Sequence, residues 1–299
     1  MPLPFILGGL ALAAACEADE FIKKAESLKE EATKKAESAE SDCRRAFMRF
    51  GEKKLHVLSY TVSNFLDHFH RLERSRIIIE GINMQDIEGQ VSDARKITNE
   101  LSGVAATNAT LAWLGGGALS VGGFVGMAVL GGLVAGPALA ILGAFSASKI
   151  MEKKLENAKA YCSQVEAAVK KADVMIDDLQ AVRKMADLFT RQIEKCDALL
   201  FSLSQDAIAT MKKHHYDTSR YDQEEKDQLC ITVSTLSTLS AFLKVPIMDE
   251  HQKLNKKAQN ALNLMRNQMD SLENGNYSLR DISFRQARLE DLIDDDKTS

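Results

Sequence analysis

The sequence predicts an all-α protein, an elongated antiparallel helical bundle or coiled coil with a central glycine-rich apolar helical hairpin. Three observations carry this. Aromatic residues are only 6% of 299 and there are four prolines, too few for the half-buried strands and frequent turns of a sandwich or barrel. Residues 144–245 contain neither Gly nor Pro, so no helix breaker interrupts them. Within that stretch apolar residues recur in alternating steps of three and four: Leu155, Ala158, Cys162, Val165, Val169, Ala172, Ile176, Leu179, Val182, Ala186, Phe189, Ile193, Cys196, Leu200, Leu203 and Ala207. That is the spacing of a coiled-coil seam, with one stammer where two steps of three adjoin at Leu179–Val182.

Residues 1–16, MPLPFILGGLALAAAC, are apolar but too short to span a bilayer comfortably. They lack the basic start of a signal peptide. Residues 17–100 form a helical arm, which Gly51, Gly81 and Gly89 divide into two or three helices. The arm repeats Lys-Lys-Ala-Glu-Ser at 23–27 and 34–38. Eleven residues are about three helical turns, so the copies share a face; the plain reading is a charged, solvated helix.

Residues 101–148 contain no charged residue, and 11 of the chain's 17 glycines fall between Gly103 and Gly143. A bilayer core takes roughly 20 apolar helical residues, so this run is too long for one span and suits two. The turn is expected at Gly115-Gly116-Gly117 or Gly122-Gly123, because consecutive glycines accept positive φ, and Gly126 is expected among the residues that pack in the membrane. Ala128, Gly132, Gly136, Ala140, Ala144 and Ser148 then put a small residue at every fourth position, a glycine-zipper face for close helix packing in lipid. Arg95 and Lys96 precede the run and Lys149, Lys153 and Lys154 follow it, which predicts that both ends stay in the cytoplasm.

A long helix over 149–213 would extend about 95 Å, and must pack along its length against the other helices or another copy of the chain. The polar stretch 214–222 ends it. Residues 223–243 return through Leu229, Val233, Leu236 and Leu243, and Pro246 breaks that helix. A helical pattern resumes over 247–272, Asn274-Gly275-Asn276 turns, and Ser278-x-x-Asp281 reads as a capping box for a last helix before the acidic tail.

Chemistry is sparse. Net charge is −4, from 38 basic and 42 acidic residues, which gives no global case for nucleic-acid binding. The five cysteines are an odd number with no C-x-x-C pair, arguing for a reducing compartment and against a disulfide framework or zinc site. No phosphate loop, dinucleotide fingerprint, HExxH or GxSxG is present. His68 and His70 lie about 200° apart on a helix, unsuited to one metal. His214-His215 beside Lys212-Lys213 reads as a solvated helix end. Catalytic residues, cofactors and metals are therefore not expected.

The stretch GVAATNATLAWLGGGALSVGGFVGMAVLGGLVAGPALAILG, with the opening MPLPFILGGLALAAA, resembles an uncharacterised bacterial coiled-coil family with an apolar start and a glycine-rich hydrophobic hairpin, sometimes labelled chemotaxis-like. The match covers residues 1–15 and about 103–143, and the family brings no activity with it. In architecture alone, long helical arms around an apolar hairpin are also similar to α-helical pore-forming toxins of the cytolysin A type. Residues and resemblance together lead to the expectation of a bacterial inner-membrane protein that inserts its hairpin and oligomerises, as a pore-forming or membrane-perturbing effector. A non-lytic scaffold or sensor, recruiting a cytoplasmic protein partner through its coiled coil, is the alternative.

Overall fold

The computed structural model describes residues 3–72, 84–100, 110, 150–249 and 253–294. They are helical throughout apart from short connections and one isolated bridge, Met248 to Leu254. In order they form α1 (Leu3–His56), a π-helix (Val57–Val62), α2 (Ser63–Phe69), α3 (Met84–Glu100), α4 (Ile150–Lys213), a 3-10 turn (Thr218–Arg220), α5 (Gln223–Lys244), α6 (Lys256–Glu273) and α7 (Leu279–Asp294). The chain divides into two compact units, Met1–Cys43 with Gly122–Gln180 and Arg44–Val121 with Ala181–Ser299.

In the first unit, α1 buries Ala18, Ala25, Ala32 and Ala39 at heptad spacing, and α4 buries Ala158, Cys162, Val165, Ala172, Ile176 and Leu179. Ala25, Cys162 and Val165 form a small core flanked by Phe21, Leu28, Tyr161 and Val169. Glu17 pairs with Lys159 at 3.5 Å and Lys24 with Glu166 at 2.8 Å. Both partners advance by seven residues, so these helix segments run in the same direction one heptad per step. The Lys-Lys-Ala-Glu-Ser copies sit on this seam and not on a purely solvated face, since Ala25 and Ala36 are both buried. Their lysines line its edge: Lys24 reaches Glu166, while Lys34 and Lys35 pair with Glu30 and Glu31 one turn back, both at 2.6 Å. Glu placed N-terminal to Lys at this spacing is the favourable orientation.

The second unit is a bundle built around α5. Pairs Arg49–Asp187 and Lys53–Asp197 again advance together along α1 and α4. The other neighbours are antiparallel: α3 returns along α2, with His70 on Glu88 and Arg95 on Asp67, and α5 returns along α4, with Phe189 stacked on Phe242 at 4.5 Å and Lys213 on Glu225. Phe47, Phe50, Phe189 and Phe242 form a continuous aromatic column through α1, α4 and α5. From Thr232 to Leu243 every residue of α5 is buried, because α3, α6 and α7 also pack on it.

Gly51 and Gly89 do not end helices as the sequence suggested; they lie inside α1 and α3. A mid-helix glycine disfavours the helix by only about 1 kcal/mol, which the packing of neighbouring residues exceeds. Gly81 lies outside the described residues. The expected turns do form. Asp222 and Glu225 make a reciprocal capping box for α5, Gly275 takes φ 68°, and Ser278 accepts the Asp281 N–H at 3.1 Å. The helix expected over 247–272 starts later than its pattern implied, at Lys256.

Candidate functional site

The residues expected to meet the membrane, Gly115, Gly116, Gly117, Gly122, Gly126, Ala128, Gly132, Gly136, Ala140 and Ala144, lie outside the described residues. On the seam, Val165, Ile176, Leu179, Phe189, Ile193 and Leu200 are buried, and Leu155, Val169 and Leu203 are half-buried. The seam is therefore covered within a single chain.

Among the described residues the richest polar arrangement is the corner where α4 gives way to α5. Helix α4 closes with the Tyr216 N–H donating to the Met211 carbonyl at 2.7 Å and the His215 N–H to Lys212 at 3.1 Å, a Schellman closure that ordinarily places glycine after the helix. Here His215 (φ 54°) and Tyr216 (φ 63°) hold the left-handed conformation, which disfavours a residue with a Cβ by about 1–2 kcal/mol. Side chains fix the turn from both sides. Glu225 takes Lys213 at 2.7 Å and His214 at 2.9 Å while accepting the Asp222 N–H at 3.2 Å. Those bonds, Lys213 first, hold its carboxyl down at about 2. The His214 ring also lies 5.2 Å from that of Tyr221, whose hydroxyl burial pushes up to about 12.

On the other side Tyr216 stacks on His68, with ring centroids 6.0 Å apart and planes within 5°, and its hydroxyl lies 2.8 Å from His68 Nδ1. The Arg71 guanidinium stands 5.9 Å over the same tyrosine ring. Burial, then Lys212 and Arg71, hold the His68 imidazole below the usual histidine value. His70 points elsewhere, to Glu88, so the two histidines do not converge. No group of three or more His, Cys, Asp or Glu that could hold a metal ion occurs among the described residues.

Two further polar clusters escaped the sequence reading. The π-helix brings the Thr61 hydroxyl to Asp197 at 2.6 Å, and Lys53 approaches the same carboxylate at 3.1 Å. Its wide turn, frequent at functional sites, is not written in residue type. Nearby, Lys54 is only 7% exposed. Burial, and then Lys244, push its ammonium down to about 7, while Lys244 pairs with Asp86. This cluster had a signal: Lys54 follows Cys43, Phe47 and Phe50 at core spacing, a charge on an apolar stripe.

The chain matches no known protein family, curated protein or solved structure. The polar clusters among the described residues clamp helices to one another.

Proposed function

We propose that this chain is a non-enzymatic membrane-associated protein. Residues 101–148 enter the cytoplasmic membrane, the helical arms remain in the cytoplasm, and copies associate through the small-residue face of Ala128, Gly132, Gly136, Ala140 and Ala144. The observation that carries the reading is the charge-free run itself, 48 residues set between arms whose surfaces are densely charged. No helix among the described residues is long and apolar enough to cross a membrane, so the reading rests on that run alone. Association is assigned to the small-residue face because the seam from Ala172 to Leu200 is already buried within one chain. Small residues let helix backbones approach in lipid, where no hydrophobic drive between helices exists. Assembly of this kind perturbs the bilayer, and a pore-forming or effector activity is its consequence.

The test is fractionation of the expressed full chain with carbonate and detergent washes, alongside a membrane-potential dye in the producing cells. Retention in the carbonate-washed membrane, with depolarisation that Gly132→Leu and Gly136→Leu abolish, is the expected result. Retention with intact potential would replace pore formation by a scaffold role. Recovery in the soluble fraction without detergent would refute the membrane reading.

A further inference from the structure

The corner between α4 and α5 is held in a backbone conformation its residues do not favour. His215 and Tyr216 both carry positive φ, and such a turn persists only where the surrounding contacts over-determine it. The two sets of contacts respond differently to acid. Toward α5, the turn is anchored on Glu225, which binds Lys213 and His214 and caps the helix. With its carboxyl at about 2, this anchor stays ionised through any mild acidification. Toward α2, the turn is anchored on a neutral imidazole. His68 receives the Tyr216 ring and hydroxyl, and the charges facing it are Arg71 from the turn after α2 and Lys212 from α4. The opposing carboxylate, Asp67, is shared with Arg95 of α3, while the next histidine, His70, is occupied by Glu88.

We infer that the His68–Tyr216 contact is an acid-released latch, and that protonating His68 frees Tyr216 from α2 while the start of α5 stays capped by Glu225. Protonation places a third cation between Arg71 and Lys212. It also fills Nδ1, so the Tyr216 hydroxyl can no longer donate there and has to turn round to accept from the imidazolium; the force for release is the crowding of the three cations. Release of the ring then lets Tyr216 leave its left-handed backbone. The direction follows from linkage. His68 is held below the ordinary 6.5, so the folded state binds fewer protons than the unfolded one once pH drops below that value. The contact is at full strength above 6.5 and weakens as pH falls through the folded value.

Hydrogen exchange of the full chain between pH 7.5 and 5.0, corrected for intrinsic rates, tests this. Amides of 214–219 and 69–72 should exchange several-fold faster at the acid end, while 223–230 keep their protection. In His68→Gln, which cannot be protonated, the pH dependence should vanish, and the His68 ring resonance of the parent should titrate with the same midpoint as the exchange. An identical acid response in His68→Gln, a response that spreads into 223–230, or no response in the parent would overturn the latch. Tyr216→Phe keeps the stacking ring and should raise exchange in the same peptides at neutral pH; unchanged exchange would also count against it.

Discussion

Replacing Lys54 by Met should stabilise the protein at neutral pH. The lysine is 7% exposed on the core side of α1, and burial followed by the nearby Lys244 charge brings its ammonium from 10.5 to about 7. At 1.36 kcal/mol per unit, carrying a proton on this side chain at pH 7 weakens folding by about 4–5 kcal/mol relative to an unperturbed lysine, an upper bound because Met does not reproduce every contact of the lysine stem. The sign follows from proton counting. Between pH 7 and 10.5 the unfolded chain holds more protons on residue 54 than the folded one, so this penalty shrinks as pH rises and is nearly gone at 10.5.

Urea unfolding of parent and Lys54→Met, followed by helical circular dichroism at several pH values, reads the difference directly. Taking the difference cancels the other groups that titrate there, including Cys162, Cys196 and Cys230, whose thiols burial pushes up. The variant should be more stable by several kcal/mol at pH 7, and the gap should close to under about 1 kcal/mol by pH 10. A variant less stable than the parent at pH 7, or a gap that does not change with pH, would refute the account and make Lys54 a structural anchor.

Three smaller changes probe other joints. Gly89→Ala should stabilise by about 0.5–1 kcal/mol, since a Cβ there would meet nothing within 4 Å; a chemical melt that loses stability would mean α3 needs the bare backbone. Asp197→Ala should destabilise by about 2–4 kcal/mol because it strands the buried Thr61 hydroxyl and the half-buried Lys53, and Thr61→Val in the same background should restore part of the loss. His215→Gly should raise the thermal midpoint through about 1 kcal/mol of relieved backbone strain, as glycine suits the φ of 54°.

The helical class and most helix ends were legible because they rest on local rules. Steps of three and four, closed by the polar stretch 214–222, placed α4 almost to the residue, Ser278 marked a helix start, and Pro246 marked a stop. What local rules could not supply was which helices lie together and in what sense. The seam of α4 said that it must be covered, but its partner along α1 runs parallel to it, and only long-range pairs such as Lys24–Glu166 reveal that. Glycine misled in the arm because its helix penalty is small beside tertiary packing, as at Gly51. The α4–α5 corner was hidden for the opposite reason. His214-His215 reads as a solvated end, and nothing in residue type announces that two residues with side chains adopt positive φ there, since the contacts that stabilise it come from His68, nearly 150 positions away.

Helix α5 shows how the second unit reconciles a fully buried helix with a polar composition. Its Leu face, Leu229, Leu236 and Leu243, was visible as periodicity; the opposite side carries Ser234, Ser237, Thr238 and Ala241 and is buried as well. Small side chains let neighbouring helices come close, and some hydroxyls bond back into the helix, Thr232 to the Gln228 carbonyl at 2.9 Å and Thr238 to Ser234 at 2.8 Å. Ser234 and Thr235 hydroxyls find no partner among the described residues, which costs about 1–3 kcal/mol each. Exposure would hydrate those hydroxyls and remove that cost, whereas exposing leucines forfeits roughly 25 cal/mol for each Å² of apolar surface returned to water. The hydroxyl side of α5 is therefore the part of this core that water disfavours least. The bundle is held there by close approach of α5 to its neighbours more than by transfer of apolar surface, and a change that loosens those neighbours meets its smallest resistance on that side.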